Sequence, residues 1–296
     1  MSLLKAQGRL MAIGGEEDKT GECRILKEFA RLAGGEKAEL ALITAATESP
    51  EETAAEYKTV FRRLGVKQVK HLRIAERADA MKPESVEAIE KATGIFFTGG
   101  DQLHITSLMG STDLQRMILE RSKKDLLVGG TSAGAAMMGN SMIVSGESDE
   151  NPRNGAVEMA PGTDLIVGCI VDTHFSQRGR HGRLLTAVAH FPQDLGFGID
   201  ENTAMIVGKN KFKVFGAGAV TVIDGSSMSH TDVPFVQKGE SLTLGDVKIH
   251  VLGDGAEFDF STRQIIVPRR AKYKTQTAAN ENNTSKKTIE RSGKQQ

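Results

Sequence analysis

The sequence predicts an α/β fold, a parallel sheet with helices on both faces followed by a C-terminal antiparallel β section. Two observations carry the first part. Short, continuous apolar runs recur along the first two-thirds of the chain, and amphipathic helical patterns separate them; strands this apolar, divided by helices, belong to a sheet buried on both faces. A third observation carries the rest: from about residue 203 the pattern turns to period-two alternation broken by Gly, Asp and Asn.

In chain order, Arg9–Gly14 reads as a strand, followed by a helix with Cys23, Leu26, Ala30 and Ala33 on one stripe. Glu39–Ala45 is a second strand. The next helix opens with Ser49 as N-cap, Pro50 at its first position and Glu52 completing a capping box. Ala54, Tyr57, Phe61 and Leu64 form its buried stripe and Gly65 ends it. Val69–Ile74 is a third strand, and a helix from Pro83 to Ala92 leads through Gly94 into Ile95–Thr98. Further helix with Leu114, Ile118 and Leu119 buried precedes the strand Leu126–Gly129 and a small-residue helix opening at Ser132. Leu165–Val171 and Gly196–Asp200 are two more strands. Residues 1–270 thus read as one α/β domain whose β-rich section spans about 203–270, and the polar residues 271–296 read as a disordered tail.

The chain has 296 residues, 39% of them hydrophobic, enough for a sizeable core. Lys+Arg and Asp+Glu balance at 38 each, which excludes the general basic excess that nucleic-acid binding requires. No apolar run approaches a membrane span, and the polar Met1–Gly8 stretch does not read as a signal peptide. The two cysteines, Cys23 and Cys169, sit in segments that read as buried, so free thiols in a reducing cytoplasm are expected.

Chemistry concentrates in four places. Gly130-Thr131-Ser132-Ala133-Gly134 is a G-x-S-x-G sequence between a buried strand and a helix. Its glycines let the chain turn sharply and lift the Ser132 hydroxyl clear of the sheet. The amide of Ala133 then faces an oxyanion; the plainer alternative is a Gly-rich turn with Ser132 as N-cap. A second turn, Gly99-Gly100-Asp101-Gln102, also follows a buried strand. Ligands of parallel sheets bind at the strands' carboxyl ends, so both turns face one crevice. Gly99 or Gly100 is a candidate second oxyanion donor there and Gln102 a candidate substrate contact; the plainer alternative is a tight turn alone.

A nucleophilic serine needs a base and the base an orienting group. Of the seven histidines, His174 directly follows the Leu165–Val171 run, on the same rim as Ser132. By the same logic Glu201 follows Gly196–Asp200, with Asp200 as its close competitor. Arg178, Arg180 and Arg183 then form an anion site near a helix N-terminus, or a merely solvated loop. Asp172 could receive a cationic group. A crevice offering both signs favours a zwitterionic or peptide substrate.

GGDQ, GTSAGA, D-x-HFSQRGR-x-x-RL and GIDENTA, in this order over roughly residues 9–270, resemble the cyanophycinase family, serine exopeptidases in the same broad group as aspartyl dipeptidase. The resemblance implies a flavodoxin-like, class I glutaminase-like fold and the order Ser132, His174, Glu201, unlike the Ser, acid, His order of α/β-hydrolases. It implies a substrate pocket at Gln102, Asp172, Thr173, Arg178, Arg180 and Arg183, a homodimer, and neither metal nor cofactor. It further implies cyanophycin, a poly-aspartate carrying arginine on each side chain, as substrate, cut to β-aspartyl-arginine dipeptides. Thr173 stands where a typical member has Gln. A related peptidase cutting aspartyl or isoaspartyl peptides is the alternative, and a binding protein without turnover a third.

Overall fold

A computed structural model describes residues 4–6, 8–146, 148 and 151–267; the expected tail at 271–296 lies outside them. Five parallel strands start the sheet: β1 (Arg9–Ile13), β2 (Glu39–Ile43), β3 (Gln68–Leu72), β4 (Gly94–Phe97) and β5 (Leu127–Thr131). Their spatial order is β1-β5-β4-β2-β3. Alternate residues feed two cores. Met11, Ile13, Leu40 and Leu42 enter one with helices α1 (Arg24–Leu32) and α2 (Pro50–Arg63). Leu10, Ala12, Ala41 and Ile43 enter the other with α3 (Pro83–Lys91) and the later α5 (Asp113–Ser122). Burial on both faces makes the inner strands of this set apolar almost throughout, whereas the edge strand β3 leaves Gln68 and Lys70 exposed.

The helices keep their expected stripes, with one difference. Ser49 makes no side-chain cap on α2, so the capping box does not form. Its ψ of 65° lies away from the extended backbone an N-cap adopts, and its amide donates to the Thr47 hydroxyl at 3.2 Å instead. Beyond α4 (Gln102–Met109), α5 and β5, the small-residue helix α6 is a single turn, Ala133–Ala136.

The hairpin of β6 (Ser141–Gly146) and β7 (Val157–Pro161) escapes the sequence reading, because a register shift between Ile143 and Ser145 breaks its alternation. The Leu165–Val171 run divides at Gly168, and its second part is β8 (Cys169–Thr173). After helix α7 (His181–His190), β9 (Leu195–Ile199) pairs parallel to β8. Most strands of the C-terminal β section divide between two sheets. Strand β10 (Thr203–Val207) pairs antiparallel to β1, and β11 (Lys211–Gly216), β14 (Glu257–Asp259) and β15 (Gln264–Ile266) carry the sheet to nine strands. The intervening β12 (Val220–Asp224) and β13 (Lys248–Leu252) join β8 and β9 in a second, four-stranded sheet.

Candidate active site

Segments following β1, β2, β4, β5 and β8 meet at one end of the sheet and enclose a crevice of about 400 Å³. Ser132, His174, Gly99, Gly100 and Arg178 all line it, a size suited to a small-molecule or dipeptide unit.

Ser132 has φ 52° and ψ −115°, backbone that L-residues rarely adopt. Its amide donates to Ile13 O at 3.0 Å, and its carbonyl accepts from Ala135 and Ala136 at 2.9 Å each. The turn closes because Gly130 has no side chain: a β-carbon there would lie 2.1 Å from Gly134 O. His174 follows β8 at φ 49°, with its amide donating to Gly14 O at 2.8 Å. Its ring is buried, with Nε2 2.9 Å from Ser132 Oγ and Nδ1 2.8 Å from Glu201 Oε1. Asp200, the competing carboxylate, accepts instead from the amides of Ser176 and Ala219, each at 3.0 Å. The Glu201 amide donates to Gln177 Oε1 at 3.0 Å, which fixes the backbone beneath the carboxylate.

Gly99 lies against Ser132, where an added β-carbon would sit 3.3 Å from Ser132 Cβ. The amides of Gly99, Gly100 and Ala133 donate to no acceptor among the described residues.

The expected substrate contacts divide. Arg178 is exposed on the crevice wall. Asp172 is 1% exposed, and Arg183 grips it through Nε at 2.7 Å and Nη2 at 2.5 Å. A buried, bidentate ion pair of this kind has little free valence, so the cation that Asp172 receives is supplied by its own chain. Arg180 donates to Thr173 O at 2.7 Å and reaches Asp172 Oδ1 at 3.4 Å. Burial depresses its guanidinium below the ordinary value, against the opposing pull of Asp172. Thr173 itself is buried in β8. Gln102 also turns away: its amide donates to Ile143 O at 2.7 Å and Val144 O at 3.2 Å, tying α4 to β6.

The segment after β1 supplies what the sequence reading passed over. Glu17 is 3% exposed yet lines the crevice. Its carboxylate accepts from the Tyr57 hydroxyl and from the hydroxyl of Thr131, the residue before Ser132. Burial, then the Glu17 charge, pushes the Tyr57 phenol well above its ordinary value. Lys19 lies 5.0 Å over the Tyr57 ring and pairs with Glu56 at 2.8 Å. The signal was present, since Gly14-Gly15 follows a buried strand as Gly99-Gly100 does. Both cysteines are free and buried, and burial raises the Cys169 thiol far above its usual range.

The model of peptidase family S51 matches residues 10–215. A cyanophycinase of Geminocystis herdmanii is 40% identical over 257 residues, 86% of this chain and 94% of that one. A cyanophycinase of Nostoc sp. is 38% identical over 259 residues, 87% of each chain. The crystal structure of a peptidase from an acI-B1 actinobacterium superposes with a TM-score of 0.62 at 21% identity, covering 88% of this chain and 98% of that one; it shares the flavodoxin-like fold. The match covers both glycine turns, the serine turn and the His174 and Glu201 segments, and the chain belongs to peptidase family S51, the serine-type peptidases that include the cyanophycinases.

Proposed function

We propose that this serine-type peptidase is an exopeptidase that hydrolyses cyanophycin to β-aspartyl-arginine dipeptides through Ser132, His174 and Glu201. The observation that carries the reading is the continuous path from Ser132 Oγ to His174 Nε2 at 2.9 Å and from Nδ1 to Glu201 at 2.8 Å, inside a crevice with charges of both signs. The cyanophycinase names of relatives near 40% identity support the substrate.

In this mechanism His174 takes the Ser132 proton as the hydroxyl attacks the scissile carbonyl, then gives it to the leaving amine. A water deprotonated by His174 next attacks the acyl-enzyme, and the proton returns to Ser132 as the carboxylate product leaves. Glu201 holds the ring with Nε2 toward the serine and stabilises the imidazolium. The amides of Ala133 and of Gly99 or Gly100 receive the oxyanion. Arg178 meets a substrate carboxylate, while Asp172, Arg180 and Arg183 hold the wall behind it rather than touching substrate. No metal or cofactor enters any step, and the working unit is a homodimer in a reducing cytoplasm.

Cutting aspartyl or isoaspartyl short peptides is the competing reading. Purified cyanophycin and a panel of Asp-X and isoAsp-X dipeptides, assayed side by side, decide between them. Efficient release of β-aspartyl-arginine with slow dipeptide cleavage supports the proposal, and the reverse order assigns the second activity.

A further inference from the structure

Chemistry that accepts an arginine-bearing aspartate needs a carboxylate to meet the guanidinium, and the carboxylates around the crevice can be sorted by what each already holds. Asp172 is closed by Arg183. Glu201 is on His174. Asp18 takes the amides of Thr20, Gly21 and Cys23 at 2.7–3.0 Å. Glu56 pairs with Lys19. Glu16 is exposed, where water screens its charge.

Glu17 differs from all of these. It is buried in the crevice wall, and no cation pairs with it among the described residues. Its two hydrogen bonds come from the neutral hydroxyls of Tyr57 and Thr131. An ionised carboxylate offers about four acceptor positions, so two remain. A buried charge held by neutral donors alone is costly, and a cation brought in by a ligand relieves that cost. Thr131 precedes Ser132 in the chain, which puts this carboxylate beside the nucleophile. Arg178, the exposed guanidinium of the same crevice, supplies the opposite sign.

We infer that Glu17 is the specificity-determining residue of this site, receiving the guanidinium of the substrate's arginine while Arg178 meets a carboxylate. The inference rests on the function proposed above and replaces Asp172 in that role. Glu17→Gln keeps an oxygen for Tyr57 and removes the charge.

The test compares kcat/KM for a synthetic β-Asp-Arg dimer and for the same dimer carrying citrulline, the neutral shape analogue of arginine. It uses wild type, Glu17→Gln and Glu17→Asp, with melting temperatures confirming that each is folded. Wild type should prefer the arginine dimer by about tenfold or more, as expected for a partly buried charge-assisted bond. Glu17→Gln should bring that ratio near one, and Glu17→Asp should retain part of it. A ratio unchanged in Glu17→Gln overturns the assignment, as does an equal fall on both substrates, which would mark a structural role. Wild type that cleaves neither dimer overturns the proposed function together with this inference.

Discussion

Gly15 lies so close to His174 that a β-carbon built on it would sit 2.4 Å from Nε2, the imidazole atom that meets Ser132. The backbone there has φ 97°, which glycine tolerates and alanine does not. The loop after β1 therefore forms one side of the slot that holds the ring.

Gly15→Ala should push the imidazole out of line with Ser132 while leaving both cores intact. Activity should fall by about 100-fold or more, because small misplacements of a reacting group cost that much. Fluorophosphonate labelling of Ser132 should slow in parallel. Unchanged labelling would show that the ring has room to move.

Glu201→Gln keeps the side chain's shape and loses its charge, so it should reduce kcat while leaving KM nearly constant. Gln177→Ala removes the acceptor under the Glu201 amide and should produce a milder fall of the same kind. His174→Ala should be worse than either. Steady-state kinetics of the three variants, ranked by kcat, check this order; a damaging Asp200→Asn beside a silent Glu201→Gln would reassign the acid.

Asp172 and Arg178 should fail differently. Asp172→Ala strands Arg183, 8% exposed, without its counter-charge. Removing one partner of a buried pair costs about 3–5 kcal/mol, so the melting temperature should drop by many degrees. Arg178→Ala should leave it nearly unchanged and raise KM. Thermal unfolding of both variants separates a structural from a binding role.

Tyr57 should shape the alkaline limb of stability. Its phenol is held above the ordinary value of 10 by burial and the Glu17 charge, so the folded state disfavours ionisation more than the unfolded chain does. Stability is therefore full below about pH 10 and falls as pH rises past it, where unfolding releases a proton. Tyr57→Phe should flatten that limb. Urea titrations from pH 8 to 11 read the slope, and an identical slope in the variant would contradict the assignment.

Much of the fold is legible in the sequence because strands such as Leu40–Ile43 are buried on both faces and leave unbroken apolar runs. The C-terminal strands are equally legible as strands, but period-two alternation does not name a partner. That is why nothing in the sequence assigns β10 to β1, the strand it pairs with. The positions of Ser132 and His174 follow from one rule, that chemistry gathers where buried strands end. The rule reaches no further than backbone position. It cannot tell that Asp172 turns inward to Arg183, that Gln102 holds β6, or that Glu17 is drawn into the wall by Tyr57 from a distant helix. Those contacts join residues 11 to 42 positions apart, and only the packed chain sets them.

The most direct test of the account is β-aspartyl-arginine release from purified cyanophycin by wild type, Ser132→Ala and Ser132→Gly, read by mass spectrometry. Both variants should fold, and Ser132→Gly should melt slightly higher, since glycine relieves the φ 52° backbone at position 132. Wild type should release the dipeptide rapidly, and both variants should lose at least about three orders of magnitude of that rate. Near-wild-type release by either variant, or no release by wild type, would contradict the account.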